Sequence, residues 1–433
     1  MEGTGRQKVY MGGRGVTRTC GQKGAVSFCC IVSGLRLVHV LTVSSSLDFL
    51  RGQLRYMAGR DIDVHVVAAP DADTLTTFAA AEGATAHAVP MTRAMTPLAD
   101  ARALWRLLRL LRQLAPDVVH AGTPKGGFLG TVAAFANGVP VRIYHMHGIR
   151  GMTAAGWRRR VLMATEWLAC RLSTRVLCVS ASTRDTAIAE GLCPPGKIVV
   201  LGPGSCNGVD ARGRFDPDRI DERARAGVRE RLTLPAGAAV IGFVVRIVRD
   251  KGIVELAAAW EALAAGFPDA HLVIVGPLEP EDPPPAGVID ALRAHPRVRF
   301  VPPVPDPAPY YAIMDVVVLP TYREGLPTVP LEAAAMRLPV VATRVPGCVD
   351  AIVDGVTGTL VPVRSVAPIV EAVAAYLRDR ERGHRHGSNG RDRVLRDFAP
   401  EAVWARVFAL YESLGTRTAP QGPGPWRGGS EVC

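Results

Sequence analysis

The strongest constraint on the fold is a regular alternation of short apolar runs and helix-forming stretches that begins near residue 35. "LRLVHVLTV" at 35–43, "DVVHAG" at 117–122 and "DVVVLPT" at 315–321 are such runs, rich in β-branched residues. Between them lie stretches with apolar residues three and four apart, such as "LDFLRGQLRYMAGR" at 47–60, which predicts one helix. Apolar strands that alternate with helices predict βαβ units and a parallel sheet covered on both faces.

The alternation is interrupted once, at 209–236, where the chain is polar, charged and rich in breakers, and it restarts at 238. The interruption predicts a linker that runs into a short helix. Two runs of alternation predict an α/β protein with two doubly wound Rossmann-like domains that face each other across a cleft. Ligands bind such sheets at the carboxyl ends of the strands, so we expect a small molecule in the cleft.

These patterns also predict where the domains begin and end. We expect a disordered extension at 1–34, a first domain at 35–212, a second domain at 213–398, a C-terminal helix at 399–414 for which the first domain is a candidate packing surface, and a disordered tail at 415–433. The basic start followed by "AVSFCCIVSG" leaves a signal peptide as the alternative for the extension. The apolar run continues directly into the first strand, which favours an extension.

Composition limits the class of partner. The 433 residues carry a formal charge of +11, which favours nucleic acid, an anionic membrane face or a phosphorylated ligand. No RNA-recognition or zinc-finger pattern occurs, so we expect no nucleic acid partner. The nine cysteines include no C-x-x-C pair, which argues against zinc and dithiol chemistry and favours free thiols in the cytosol. The sequence contains no apolar stretch of about 20 residues that predicts a membrane span.

Two acids flank the start of a predicted helix in "REGLPTVPLEAAAMRLPVVAT" at 323–343. We expect Thr328 to cap this helix, with Glu324 at the tip of the preceding strand and Glu332 in the first helical turn. Unpaired amides at a helix start bind anions and suit a diphosphate. The alternative is that Glu332 is only favoured by the helix dipole and that Glu324 is only a turn residue.

Two cations follow another strand, in "FVVRIVRDKGI" at 243–253. Arg246 ends the strand and Lys251 comes five residues later, so both can neutralise a diphosphate and stabilise one that departs. The alternative is a pair of solvated surface cations. Acids and cations at strand tips of one sheet together favour a diphosphate site.

These segments resemble the retaining GT-B glycosyltransferases of glycosyltransferase family 4, over about residues 35–412. "DVVVLPTYREGLPTVPLEAAAMRLPVVAT" resembles that family's E-x7-E signature, and "VVRIVRDKG" resembles its Arg/Lys pair, with Val245 where glycine is usual. "DGVTGTLVP", "HMHG" and "GPGSCNGVD" resemble further family segments. "LTVSSSLDFLRGQ" and "VVHAGTPKGG" are most similar to transferases that build bacterial capsule, exopolysaccharide or O-antigen.

The resemblance implies that the first domain, 35–212, binds the acceptor and that the second, 213–398, binds the nucleotide sugar. It also implies roles for matching residues. Arg246 and Lys251 would bind the donor diphosphate and stabilise the leaving nucleotide. Glu324 would contact the donor sugar near the reacting carbon, Glu332 the nucleotide ribose, and His147 the donor sugar from the opposite domain. Further residues are expected to bind the donor, several through backbone amides: Gly325, Leu326, Thr328 and Gly276. Ser45 and Ser46 occupy the acceptor-side loop, where many relatives have a glycine pair.

The resemblance also implies a reaction. A sugar would pass with retention from a nucleotide donor, UDP-hexose or UDP-N-acetylhexosamine, to a polyprenyl-diphosphate-linked glycan, with neither metal nor cofactor required. The alternatives are a GT-B nucleotide-sugar 2-epimerase and a non-catalytic nucleotide-sugar-binding protein.

A lipid-linked acceptor implies a cytoplasmic enzyme held peripherally on the inner face of the cell membrane. An amphipathic stretch with Trp157, Trp167 and the arginines at 158–160 can lie on an anionic membrane surface. A solvated arginine face is the alternative.

Overall fold

The computed structural model describes residues 6–11, 14–19, 34–279 and 283–415 of the chain. Strands β1 (Arg6–Met11) and β2 (Arg14–Thr19) pair in antiparallel fashion. The sequence predicts disorder across 1–34, whereas residues 6–11 and 14–19 within it form these paired strands. The rest of that extension up to residue 33, and the predicted tail from residue 416 onward, lie outside the described residues.

The larger of two parallel sheets has seven strands in the order β5-β4-β3-β6-β7-β8-β9. Strand β3 pairs in parallel with β4 and with β6, and Leu37 aligns with Val64 on one side and Val118 on the other. The strands of this sheet are β3 (Arg36–Val40), β4 (Asp63–Ala68), β5 (Thr85–Ala88), β6 (Val118–Gly122), β7 (Val141–Met146), β8 (Arg175–Cys178) and β9 (Ile198–Val199).

The second sheet has six strands in the order β12-β11-β10-β13-β14-β15, and every neighbouring pair is parallel. Its central strands β10 and β13 are neighbours in space although two other strands separate them in sequence. The strands of this sheet are β10 (Val240–Val244), β11 (His271–Val275), β12 (Val298–Val301), β13 (Val316–Leu319), β14 (Val340–Thr343) and β15 (Gly358–Val361). Two parallel sheets with intervening helices confirm the predicted doubly wound α/β class.

Helices connect the strands as the alternation predicts. They are α1 (Gln53–Ala58), α2 (Thr74–Glu82), α3 (Pro97–Leu114), α4 (Pro124–Ala136), α5 (Gly156–Leu172), α6 (Ala181–Ala189), α7 (Glu222–Arg231), α8 (Ile253–Gly266), α9 (Ala286–Ala294), α10 (Ala308–Tyr311), α11 (Thr328–Ala335), α12 (Cys348–Ala351), α13 (Val366–Arg378), α14 (Arg380–Asp397) and α15 (Pro400–Gly415). Short 3₁₀ turns cover Ser44–Leu50, Arg150–Met152, Pro217–Arg219 and Arg249–Lys251.

The chain divides into two compact units. One comprises Met1–Tyr144, Leu172–Thr174 and Ala405–Cys433, and the other comprises His145–Arg171 and Arg175–Trp404. The predicted domain boundaries at 212 and 398 stay predictions. Among the described residues, no helix is both long and apolar enough to cross a membrane.

The second unit buries both faces of its six-stranded sheet, as continuous apolar strands require. Successive residues of β10 point to opposite faces, so Val240 joins one core cluster and Ile241 the other. Leu331 of α11 packs in the first cluster, and Trp260 of α8 in the second. The first unit has a comparable core, in which Leu107 of α3 packs with strand residues such as Val38 and Val119.

Candidate functional site

An ion pair lies at the carboxyl ends of the two central strands of the six-stranded sheet. Lys251 is the last residue of the 3₁₀ turn that follows β10, and Glu324 follows β13. The ammonium group of Lys251 contacts Oε1 of Glu324, and their side chains are only 18% and 10% exposed. The structure therefore brings together one predicted cation and one predicted acid that are 73 residues apart in sequence.

Backbone contacts hold the Lys251 turn against the end of β13. Gly252 has φ +76°, and a Cβ there would lie 1.9 Å from the Pro320 carbonyl oxygen, so only glycine permits this approach. The amide of Tyr322 donates to the Asp250 carbonyl at 2.8 Å. A second ion pair joins Arg323 Nε to Asp250 Oδ2 at 2.8 Å. The neighbours of Lys251 and Glu324 in sequence thus bind each other as well.

Arg246 also has a carboxylate partner. One of its terminal nitrogens contacts Oε2 of Glu279, although the Arg246 side chain is 46% exposed. Gly276 packs against the backbone just before Arg246. A Cβ at position 276 would be 2.0 Å from the Val245 carbonyl oxygen. Gly276 therefore has a packing reason to be glycine, and its role in donor binding stays a prediction. A diphosphate would have to compete with carboxylates for both predicted cations.

Helix α11 starts differently from the sequence expectation. Pro327 is the N-cap and makes no side-chain cap, and Thr328 is the first helical residue, so the prediction that Thr328 caps the helix is wrong. Pro327 is extended at ψ 133° and carries the chain into the helix. Glu332 is the fifth helical residue, so it lies just beyond the first turn in which the sequence predicts it. The predicted amides near Gly325 and Leu326 precede the helix.

Glu332 accepts a hydrogen bond that the sequence did not predict. The hydroxyl of Tyr311 donates to Glu332 Oε2 at 2.9 Å. Tyr311 is fully buried, and burial followed by the negative charge of Glu332 raises the pKa of its phenol well above the usual range. Tyr311 is therefore a permanent donor that orients one carboxylate oxygen of Glu332.

His147 lies against the loop that carries Glu324. A Cβ on Gly325 would be 2.0 Å from the His147 carbonyl oxygen, and the two residues belong to the same compact unit. His147 directly follows β7 of the seven-stranded sheet, and its predicted contact with the donor sugar from the opposite domain stays a prediction. The rings of His145 and His147 are 4.3 Å apart between centroids. Burial lowers the pKa of His147 to about 4, so its imidazole is neutral at pH 7.

The neutral state of His147 predicts a flat pH response. Burial disfavours the imidazolium, so His147 becomes protonated only as the pH falls towards about 4. For the sugar transfer that the resemblance implies, we expect kcat/KM to change less than about twofold between pH 7.5 and 5.5 through this group. An acid limb with a midpoint near pH 6.5 that disappears in His147→Gln would contradict the expectation.

Ser45 and Ser46 lie in the first unit, in the 3₁₀ turn Ser44–Leu50. Ser45 is exposed and accepts a hydrogen bond from Arg93 Nη2 at 2.9 Å. Ser46 is buried, and its amide donates to the Val43 carbonyl at 3.0 Å. Their acceptor-side role stays a prediction.

Helix α5 has an exposed face with both aromatic and cationic side chains. Trp157 and Trp167 are 65% and 49% exposed. Arg160 is exposed beside them, whereas Arg159 pairs with Glu190 at 2.6 Å. Only part of the predicted arginine cluster is therefore available to a partner. Across the described ranges, no group of three His, Cys, Asp or Glu side chains is arranged to hold a metal ion.

Two family models match the chain. Residues 225–393 match the model described as glycosyl transferases group 1, and residues 48–204 match the glycosyl transferase 4-like domain. The chain is 32% identical over 380 residues to the capsular polysaccharide biosynthesis glycosyltransferase CapM of Staphylococcus aureus. The aligned region covers 88% of the chain and 97% of that relative.

Two further proteins are similar. One is the UDP-Gal:alpha-D-GlcNAc-diphosphoundecaprenol alpha-1,3-galactosyltransferase of Escherichia coli, with 26% identity over 66% of this chain and 73% of that relative. The other is the solved structure of Anabaena Alr3699/HepE in complex with UDP-glucose. It has a TM-score of 0.73 and 18% identity, over 88% of this chain and 100% of that one. The structural likeness supports the same two-sheet fold.

Proposed function

Because the chain belongs to the GT-B glycosyltransferases with group 1 and 4-like domains, we propose that it transfers a sugar with retention from a UDP-linked donor to a polyprenyl-diphosphate-linked glycan. The donor sugar would be a hexose or an N-acetylhexosamine. The product would enter surface polysaccharide such as capsule. The observation that carries the proposal is the Lys251–Glu324 ion pair at the ends of neighbouring strands.

The ion pair supports separate roles for its two members, with Lys251 at the donor phosphate and Glu324 at the donor sugar. An ammonium group has three N–H donors, so Lys251 can keep one on Glu324 and offer the others to a donor phosphate. Glu324 has a second carboxylate oxygen for a sugar hydroxyl. Glu332 is the fifth residue of α11 and is oriented by Tyr311, so it suits the ribose. Arg246 would leave Glu279 to meet the diphosphate.

The proposed reaction balances without a protein base. The bond between the anomeric carbon and the donor phosphate oxygen breaks, and the acceptor oxygen bonds to the same face of that carbon. The acceptor hydroxyl proton passes to the departing phosphate oxygen. Lys251, Arg246 and the amides near Leu326 stabilise the charge on that phosphate, while neutral His147 contacts the donor sugar. Because cations and amides supply the positive charge, we propose that no metal is needed.

Calorimetric titration with UDP and GDP in the presence of EDTA tests the donor site. We expect one nucleoside diphosphate to bind and Arg246→Ala to weaken it at least tenfold, since a charge-assisted hydrogen bond contributes about 1.5–3 kcal/mol. The matched control is Arg385→Ala, because Arg385 is exposed and pairs only at 3.9 Å. Binding of neither nucleotide would contradict the proposal.

Product analysis separates transfer from the alternatives. Incubation with donor and a lipid-linked acceptor should give a glycosylated lipid whose anomeric configuration matches that of the donor. A changed nucleotide sugar without glycolipid would indicate an epimerase, and binding without turnover would indicate a non-catalytic protein.

We further propose that α5 lies on an anionic membrane surface at the cytoplasmic face. The exposed face of α5 carries Trp157, Val161 and Trp167 with Arg160 and Arg171, while the one acidic residue of the helix, Glu166, is buried. Tryptophan suits the boundary between headgroups and acyl chains, and arginines attract anionic lipid. A partner with a flat, negatively charged and partly apolar surface complements this face.

Vesicle sedimentation tests the membrane contact. We expect the protein to bind vesicles of phosphatidylglycerol and phosphatidylcholine in 50 mM salt, and to be released in 0.5 M salt, because salt at about 0.5 M screens charges beyond a few Å. Trp157→Ala with Trp167→Ala should lower the bound fraction at least threefold. Phe135→Ala, an exposed aromatic residue of α4, serves as the control. Unchanged binding by the double variant would overturn the proposal.

A further inference from the structure

Two buried hydroxyls contact the carbonyl oxygen of Gly325, the residue that follows Glu324. Ser180 follows β8 and is the N-cap of α6, and Thr183 is in the first turn of that helix. Ser180 Oγ lies 2.6 Å and Thr183 Oγ1 2.9 Å from the Gly325 carbonyl oxygen. Both side chains are buried, and all three residues belong to the same compact unit. This contact joins positions more than 140 apart in sequence.

The Gly325 carbonyl keeps a hydrogen-bond donor in either arrangement of the two hydroxyl protons. The two side-chain oxygens are also 2.8 Å from each other, so two protons serve three short contacts. If Ser180 donates to Thr183, then Thr183 donates to Gly325, and the reverse holds equally. At least one proton therefore always lies on the Gly325 carbonyl.

Because the Gly325 carbonyl is held in place, the direction of the following amide, that of Leu326, is fixed as well. The peptide bond is planar and trans, so the N–H of Leu326 points away from the Gly325 carbonyl and hence away from α6. In the part of the chain that the structure describes, the Leu326 amide donates to no other group. Backbone amides without a protein partner bond to water or to a ligand, so the outward Leu326 amide can donate to a ligand oxygen.

A neighbouring glycine keeps the carbonyl accessible to the hydroxyls. A Cβ on Gly347 would lie 2.3 Å from the Gly325 oxygen and would push it aside. The Gly347 amide donates to Ser182 Oγ at 2.7 Å, so the start of α6 holds this second loop too. Residues at the start of α6 therefore hold two loops, the one at Gly325 and the one at Gly347.

We infer that Ser180 and Thr183 are positioning residues, which hold the Gly325 carbonyl so that the Leu326 amide binds a donor phosphate. The inference rests on the proposed function, because it assumes that a nucleoside diphosphate occupies the site. The two hydroxyls contact no substrate atom. Their effect passes entirely through one peptide plane, so it should appear in phosphate affinity rather than in recognition of the base.

Matched variants at Thr183 isolate the hydroxyl. Thr183→Val keeps the shape of the side chain and removes the hydroxyl, whereas Thr183→Ser keeps the hydroxyl and removes the methyl group. We expect Ser180→Ala combined with Thr183→Val to weaken UDP binding at least tenfold by calorimetry. Uridine, measured by competition against UDP, should change less than threefold. Thr183→Ser should bind UDP within threefold of wild type.

The outcomes are distinguishable. If the wild-type protein binds neither UDP nor GDP, the proposed function fails. If it binds UDP and the double variant binds UDP equally well, this inference fails alone. Equal weakening of UDP and uridine would also overturn it, because that result indicates general damage to the fold. Urea unfolding of each variant identifies such damage independently.

Discussion

We expect Glu324→Gln to lower kcat for sugar transfer at least a hundredfold, which corresponds to about 3 kcal/mol at the transition state. Glutamine keeps the size of the side chain but removes the negative charge that Lys251 contacts and that we propose faces the donor sugar. Lys251 is then left with its charge in a largely buried position. Its orientation towards the donor phosphate is lost together with the carboxylate contact.

The control for Glu324→Gln is an acid-to-amide change at an exposed ion pair. Asp218 and Arg337 are 2.7 Å apart at the surface. Exposed pairs of this kind contribute about 0–1 kcal/mol, so Asp218→Asn should leave kcat within twofold of wild type. Turnover of the Glu324→Gln protein within a few-fold of wild type would show that Glu324 is not at the reacting sugar.

Lys251→Met should reproduce most of the loss, and combining it with Glu324→Gln should add little. Residues that act as one unit give non-additive losses, because the first change already removes the shared interaction. Full additivity of the two losses in log kcat would indicate that the pair does not act as a unit.

The second large effect is expected from Gly325→Ala, which should reduce kcat/KM by about a hundredfold. The added Cβ would lie 2.0 Å from the His147 carbonyl oxygen and 2.9 Å from the Gly148 amide nitrogen. Both obstacles are backbone atoms, so no side-chain rotation relieves the clash and the loop must shift. A misplacement of about 1 Å near reacting groups costs on the order of a hundredfold in rate.

Gly196→Ala is the matched control for Gly325→Ala. A Cβ at Gly196 meets no atom within 4 Å, and this glycine has no positive φ in the structure. We expect activity within twofold of wild type. If Gly325→Ala is as active as this control, the loop is not held as tightly as the structure shows.

Sequence patterns predicted the architecture well because the core signal is local. The apolar runs from "LRLVHVLTV" to "GTLVPV" all contain strands. Strand β5 gave no such signal, since "TAHA" at an edge of the sheet is partly exposed and has little apolar character. The helix predicted at 47–60 is divided, because Gly52 has φ +77° and separates a 3₁₀ turn from α1.

The site was less predictable because its contacts join distant segments. Sequence spacing identified Lys251 and Glu324, but not that they bind each other. It also missed the Tyr311 hydroxyl, which reaches Glu332 across 21 residues. The only local sign of Ser180 was a serine directly after an apolar strand, which predicts a helix cap rather than a contact with Gly325.

The ion pairs of the proposed donor site have a consequence for its selectivity. Unpaired cations would attract ATP, inorganic phosphate and other abundant polyanions. Here the protein supplies its own counter-ions, Glu279 for Arg246 and Glu324 for Lys251. We expect a phosphate to gain these cations only when it brings further contacts, such as those of a nucleoside or of a sugar hydroxyl with Glu324. We therefore expect this competition to disfavour bare phosphates without a steric barrier.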